Sequence, residues 1–102
     1  MTTIKNFKDL IAWQEAHKLV LMTYLITKKF PDDEKYALTN QIRRCVVSVS
    51  SNIAEGFGRN SALEKSHFYS IARGSILELE NQLLIARDLS YLKNESYDKF
   101  ES

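Results

Sequence analysis

The chain has 102 residues, a length that suits one domain built around one modest core. Its hydrophobic content of 44% and charged content of 26% are ordinary for a globular protein and argue against disorder. The net charge of +1 excludes the global basic excess that marks many nucleic-acid binders.

The cysteine content and the hydropathy of the chain indicate where in the cell it is located. Cys45 is the single cysteine, so no intramolecular disulfide can form, and its place on an apolar stripe predicts a small core residue. No apolar run approaches the length of a membrane span, and residues 1–7 lack the apolar segment of a signal peptide. We therefore expect a cytoplasmic protein without membrane contact.

Helix-breaking residues are scarce. The chain has three glycines and one proline, and it lacks an Asn-Gly or Asp-Gly hairpin signal. This pattern predicts a single all-α domain over residues 1–102. We expect its helices to form an antiparallel bundle, because short connections make consecutive helices neighbours.

The first predicted helix runs from about residue 7 to residue 29, with Asn6 as its N-cap. Residues 19–26 are apolar nearly all round, although one side of a helix suffices to cover a small core. We expect the second apolar side to contact another subunit in a homo-oligomer. The alternative is a helix at the centre of its own bundle.

The second predicted helix runs from about residue 33 to residue 56, after a break at Pro31 and with Asp32 as its N-cap. It bears an apolar stripe and, beside it, a polar stripe. The polar stripe contains Gln41, Arg44, Ser48, Asn52 and Glu55. Glu55 lies near the negative end of the helix, so it requires a compensating partner, either Arg59 or the next helix N-terminus.

The third predicted helix runs from about residue 61 to residue 91 and opens with a capping box at Ser61 and Glu64. Gly74 in its middle predicts close backbone packing, because glycine there is otherwise unfavourable. Glu78 lies close to the apolar face and is a candidate partner for Arg44. Asn94 is expected to cap a last short helix over residues 95–101.

Nearly the whole chain resembles a family of small bacterial four-helix-bundle proteins, the 23S rRNA intervening-sequence proteins. The segments that carry the resemblance are Leu10-Ile11-Ala12-Trp13, Phe30-Pro31-Asp32-Asp33-Glu34-Lys35-Tyr36-Ala37-Leu38, Gln41-Ile42-Arg43-Arg44, Asn52-Ile53-Ala54-Glu55-Gly56, Arg59, Ala72-Arg73-Gly74-Ser75, Glu78-Leu79 and Leu89-Ser90-Tyr91-Leu92. The family is similar in turn to the accessory proteins of diversity-generating retroelements, which form pentameric barrels and associate with nucleic acid and a reverse transcriptase. The resemblance implies an antiparallel up-and-down four-helix bundle, here with a short or truncated fourth helix. It also implies a pentamer and no established enzymatic activity.

No motif for catalysis stands out in the sequence. Residues 56–58 lack the third glycine and the preceding strand of a dinucleotide-binding loop. His17, His67 and Cys45 lack the spacing of a metal site. Glu55 and Glu78 are too few acids for a metal-dependent nuclease. We expect no enzyme, metal, cofactor or small-molecule substrate.

The polar stripe has two interpretations. In the structural one, a buried network fixes the register of the helices, and it contains Gln41, Arg44, Asn52, Glu55 and Glu78. In the functional one, basic residues repeated around an oligomer contact nucleic acid, and the candidates are Lys5, Lys8, Arg43, Arg59 and Arg73. We favour the structural role for Arg44 and Glu78.

The expected function is that of a non-enzymatic oligomeric protein that associates with RNA or a ribonucleoprotein. The alternative is a protein-binding oligomeric scaffold without nucleic-acid contact.

Overall fold

The computed structural model describes the backbone of residues 3–101 and the side chains of residues 3–100. In chain order, the elements are a 3-10 turn at Phe7–Asp9, α1 at Ile11–Thr27, a 3-10 turn at Asp32–Glu34, α2 at Leu38–Phe57, α3 at Ala62–Asp88 and α4 at Asn94–Glu101. Over this described range, every regular element is helical, and α2 packs against both α1 and α3. The all-α bundle with a short fourth helix is therefore confirmed.

The start of α1 differs from the sequence prediction. Asn6 does act as a cap, but it closes a separate 3-10 turn: its Oδ1 accepts a hydrogen bond from the Lys8 amide at 2.9 Å, and Asp9 accepts one from the Asn6 amide at 3.2 Å. Leu10 then leaves helical geometry at φ −74° and ψ 127°, so the α-helix begins only at Ile11. The capping box between Asn6 and Asp9 therefore closes the short 3-10 turn and not the α-helix. The pattern of apolar residues does not reveal this separate turn.

The start of α2 is also later than predicted. Pro31 precedes a short 3-10 turn, and Ala37, at φ −122° and ψ −107°, separates that turn from Leu38. Asp32 does not cap a helix with its side chain, contrary to the prediction. The acidic segment therefore forms its own turn instead of the first turn of α2.

Glu34 ties this connection to the end of α3. Its carboxylate accepts a hydrogen bond from the Leu38 amide at 3.4 Å and another from the Tyr91 hydroxyl at 2.9 Å. The bond to Glu34 raises the pKa of Tyr91, because removing the phenolic proton would place a second negative charge beside the carboxylate. The carboxylate thus joins two segments that are 57 residues apart in the chain.

The core lies mainly between α2 and α3. Its buried apolar residues include Ile42, Val46, Leu79, Leu83 and Ala86. Three small residues meet at the contact between the two helices, namely Cys45 and Ser48 on α2 and Ser75 on α3.

A polar contact joins α2 to α3 inside this interface. The Cys45 thiol donates to the Ser75 carbonyl at 3.0 Å, and the hydroxyl oxygens of Ser48 and Ser75 lie 2.9 Å apart. Burial, together with the charge of Glu78, raises the pKa of the Cys45 thiol to about 11. Cys45 is therefore a packed core residue, as the sequence predicted.

Two glycines in the helices have different surroundings. A Cβ added at Gly56 would lie 2.6 Å from Cε1 of Tyr69 and 3.2 Å from Cβ of Phe68. Gly56 thus permits the end of α2 to lie against α3. A Cβ added at Gly74 would meet no atom of a neighbouring element within 4 Å. The prediction that close packing explains Gly74 is wrong for the described part of the chain.

The end of α3 is a left-handed turn. The helix ends at Asp88, three residues earlier than predicted, because Ser90 has φ 66°. The Tyr91 amide donates to the Ala86 carbonyl at 2.9 Å and so satisfies one of the last carbonyls of the helix. In α4, Tyr97 and Phe100 pack against the core. Among the described helices, none combines the length and the apolar character that crossing a membrane requires.

The two glycines give a matched test of this packing. Gly56→Ala should lower the free energy of unfolding by about 1 kcal/mol, because overpacking exceeds the gain in helix propensity. Gly74→Ala should raise it by about 0.5–1 kcal/mol, because alanine favours the helix and meets open space. Urea unfolding at one fixed protein concentration measures both changes. If Gly56→Ala were the more stabilising of the two, the close approach of α2 to α3 would be contradicted.

Candidate functional site

The five residues of the predicted polar network do not form one connected set within the described chain. Asn52 is half-buried, and its Nδ2 donates to the Ser48 carbonyl at 2.8 Å and to the Ser48 hydroxyl at 3.0 Å. Gln41 and Arg44 lie exposed on α2. Only Asn52 therefore belongs to the short polar contact between α2 and α3.

Arg44 and Glu78 are not paired in the structure, which corrects the expected contact. Both side chains are exposed, and the Glu78 carboxylate instead accepts a hydrogen bond from Nε2 of Gln82 at 3.1 Å. Gln82 lies one turn farther along α3, so Glu78 finds its partner on its own helix.

Glu55 does find the partner that its position requires. The Arg59 guanidinium lies 3.5 Å from the Glu55 carboxylate and stacks 4.5 Å from the centre of the Phe68 ring. Because both charged side chains are about half exposed, the ion pair contributes little to stability. Its main effect is to hold Arg59 against the start of α3.

Arg43 is the cation that joins α1 to α2. Its Nε donates to the Thr27 hydroxyl at 2.8 Å, and its Nη2 donates to the Tyr24 carbonyl at 3.4 Å. The guanidinium also lies 4.7 Å from the centre of the Tyr24 ring. Arg43 is one of the candidate nucleic-acid contacts, but these contacts direct its Nε and one Nη2 donor into its own chain.

The other candidate cations lie on separate elements. Lys5 precedes the first 3-10 turn and Lys8 lies within it, and both are exposed. Arg73 is exposed on α3 and lines a shallow depression of about 390 Å³ beside Lys65 and Tyr69. The structure therefore does not join the five candidates into one patch through any recorded contact among the described residues.

Lys65 has a capping role that the sequence analysis missed. Its Nζ donates to the Phe57 carbonyl at 2.7 Å and to the Gly56 carbonyl at 3.3 Å, two of the last carbonyls of α2. The Gly56 carbonyl also accepts from the Arg59 amide at 3.2 Å. A lysine in the first turn of the next helix, after a short loop, is the signal that predicts this cap.

A larger cleft lies where α1, α3 and α4 meet. Its volume is about 860 Å³. Its lining residues are Met22, Leu25, Ile26, Lys29, Arg87, Ser90, Tyr91, Leu92, Lys93, Asn94, Glu95, Ser96 and Lys99. Four of them are Lys or Arg, and Glu95 is the one carboxylate among them. The sequence alone does not reveal this cleft, because its cations come from four separate segments.

Over the described residues, no group of three or more His, Cys, Asp or Glu side chains has the proximity to hold a metal ion. Two buried polar atoms in this range lack a hydrogen-bond partner, namely Oγ1 of Thr39 and Oε1 of Gln82. They lie on different helices, α2 and α3, and neither lines the cleft.

Comparison with known proteins gives one family. The family model described as 23S rRNA-intervening sequence protein matches residues 8–102, which is almost the entire chain. The match agrees with the resemblance found in the sequence segments. No curated protein matches the chain.

The neighbouring arginines of α2 provide a test of which cation is structural. Arg43→Ala should lower the free energy of unfolding by about 1–3 kcal/mol, since it removes charge-assisted hydrogen bonds and a cation–π contact. Arg44→Ala is the matched control, and its effect should stay within about 0.5 kcal/mol because the side chain is exposed and unpaired in the described chain. Chemical denaturation followed by circular dichroism measures both. A larger loss for Arg44→Ala than for Arg43→Ala would contradict this assignment.

Proposed function

Because the chain belongs to the 23S rRNA-intervening sequence protein family, we propose that it is a non-enzymatic homo-oligomer that associates with RNA or a ribonucleoprotein in the cytoplasm. The observation that carries this proposal is the family match over residues 8–102. The resemblance of the sequence to pentameric relatives makes a pentamer the expected assembly.

Exposed apolar side chains on α1 support the oligomer. Leu21 is 58% exposed and Tyr24 is 38% exposed. Both lie in residues 19–26, the segment of α1 that is apolar nearly all round. Large apolar side chains left in water on one helix favour burial against another chain. A second copy that covers this side of α1 would remove them from water.

The charge of this protein favours RNA association only when several copies of the chain act together in one oligomer. A single chain carries a net charge of +1, so its general attraction to a polyanion is weak. Several copies in one assembly present the same exposed lysines several times, and weak contacts then act together. Of the residues first considered, Lys5, Lys8 and Arg73 are exposed, whereas Arg43 and Arg59 already contact their own chain.

The alternative function, a protein-binding scaffold, is favoured by a different observation. Several apolar residues on α3 are exposed, among them Leu63 at 82% and Leu77 at 61%. Such side chains suit contact with another protein. This alternative predicts an oligomer that does not bind nucleic acid.

Sedimentation velocity with fluorescently labelled RNA tests both parts of the proposal in one experiment. At micromolar concentration, the protein alone should sediment as an oligomer instead of an 11.8 kDa monomer. Added RNA should co-sediment with it at about 50 mM salt and be largely released at about 200 mM salt, because phosphate contacts are salt-dependent.

Leu21→Lys should shift the protein toward the monomer, because it places a charge on the apolar side of α1. Leu63→Lys, at an apolar residue that is still more exposed, is the control and should leave the sedimenting mass unchanged. A wild-type protein that stays monomeric refutes the oligomer. An oligomer that leaves RNA unbound at low salt refutes RNA association and supports the scaffold.

A further inference from the structure

We propose that the cleft between α1, α3 and α4 is a binding site for single-stranded RNA, with a nucleobase against its apolar wall and phosphates on its cationic rim. This inference rests on the proposed RNA association and names the site that performs it. The site differs from the cations that the sequence analysis selected.

The apolar wall of the cleft comes mainly from α1. Met22, Leu25 and Ile26 recur at three- and four-residue steps, so their side chains lie on one side of that helix. Leu25 is 64% exposed, and the buried Leu92 contributes from the loop before α4. The volume of about 860 Å³ lies within the range of sites that take small organic groups.

The rim of the cleft is basic. Lys29 supplies a cation from the turn after α1, Lys93 from the loop before α4, and Lys99 from α4. Lys29 and Lys93 are exposed, and no hydrogen bond or ion pair joins either side chain to another described residue. With Glu95 as the single carboxylate in the lining, the charge of the cleft is complementary to a polyanion.

Arg87 adds a flat cationic surface. Its guanidinium lies 4.6 Å from the centre of the Tyr97 ring and donates from Nε to the Asp88 carboxylate at 3.2 Å. These two contacts fix the orientation of the guanidinium plane beside the cleft. Nucleobases stack on arginine planes as well as on aromatic rings.

These features favour a single strand over a duplex. An A-form duplex keeps its bases stacked inside and presents phosphates and 2′-hydroxyls, so the apolar wall would gain no contact. An unpaired nucleotide offers a base to the wall and a phosphate to the rim at once. Ser90, Asn94 and Ser96 line the same cleft and supply polar side chains that hydrogen-bond a ribose 2′-hydroxyl. The carboxylates of an acidic peptide would pair with the lysines and with the edge of the arginine, but acidic side chains offer no flat ring to the apolar wall or to the face of the arginine plane.

The test compares two variants that lose the same charge. Lys29→Ala combined with Lys93→Ala removes two cations from the rim, and Lys18→Ala combined with Lys35→Ala removes two exposed cations that do not line the cleft. Fluorescence anisotropy with labelled single-stranded RNA measures the affinity over a range of salt concentrations. Circular dichroism verifies that both variants are folded.

The cleft variant should bind single-stranded RNA roughly tenfold more weakly than the wild type. The slope of log affinity against log salt should fall by about 0.7 for each phosphate contact that is lost. The control variant at Lys18 and Lys35 should keep both the affinity and the slope. An abasic strand of the same length should bind the wild type more weakly than the natural strand, since it leaves the apolar wall empty.

Three results would overturn the site. The first is that the wild type binds RNA and the cleft variant binds it equally well. RNA association would then stand, but its site would lie elsewhere on the protein. The second is equal competition by polyglutamate, which would make the cleft a surface for acidic proteins. The third is a wild type that binds no RNA at low salt, in which case the proposed function fails together with the site.

Discussion

The close contact between α2 and α3 is the constraint on which the other elements of this chain depend. Ser48 and Ser75 approach to 2.9 Å between hydroxyl oxygens, and the Cys45 thiol reaches the Ser75 carbonyl at 3.0 Å. Because the polar atom of a serine or cysteine is bonded directly to Cβ, these hydrogen bonds form only where the two helices lie close together. Gly56 extends the same close approach to the end of α2, where a single added Cβ would meet Tyr69. The apolar core then fills the space beside this pair of helices.

The remaining helices are fastened to that pair by a few specific contacts. Arg43 holds the end of α1 through Thr27 and the Tyr24 carbonyl. Glu34 links the connection before α2 to Tyr91, just after α3. Among the described side chains of α4, Tyr97 and Phe100 pack against the core. The basic cleft lies where α4 meets α1 and α3. The position of the proposed RNA site thus follows from how the bundle is assembled.

The sequence predicted the helices better than the side-chain partners. Apolar periodicity located four helices, and the serine at position 61 does cap α3 by accepting from the Glu64 amide at 3.1 Å. Periodicity did not reveal the caps and the extended Leu10 that delay α1, because those depend on local hydrogen bonds.

Side-chain roles were harder to predict for a geometric reason. Arg43 and Arg44 are adjacent and chemically identical, but they point about 100° apart around the helix, and only the fold decides which one meets α1. The cleft could not be predicted from the sequence for a related reason. Its cations, Lys29, Arg87, Lys93 and Lys99, are scattered along the sequence and meet only in three dimensions.

Native-state hydrogen exchange tests most directly the claim that the α2–α3 contact is the foundation of the fold. The account predicts that the slowest amides are those of α2 and α3 around Cys45, Val49, Ser75 and Leu79, and that they exchange only by global unfolding. Amides of α4 and of the first 3-10 turn should exchange earlier, through local opening. Amides in α1 or α4 that outlast those of α2 and α3 would contradict the account.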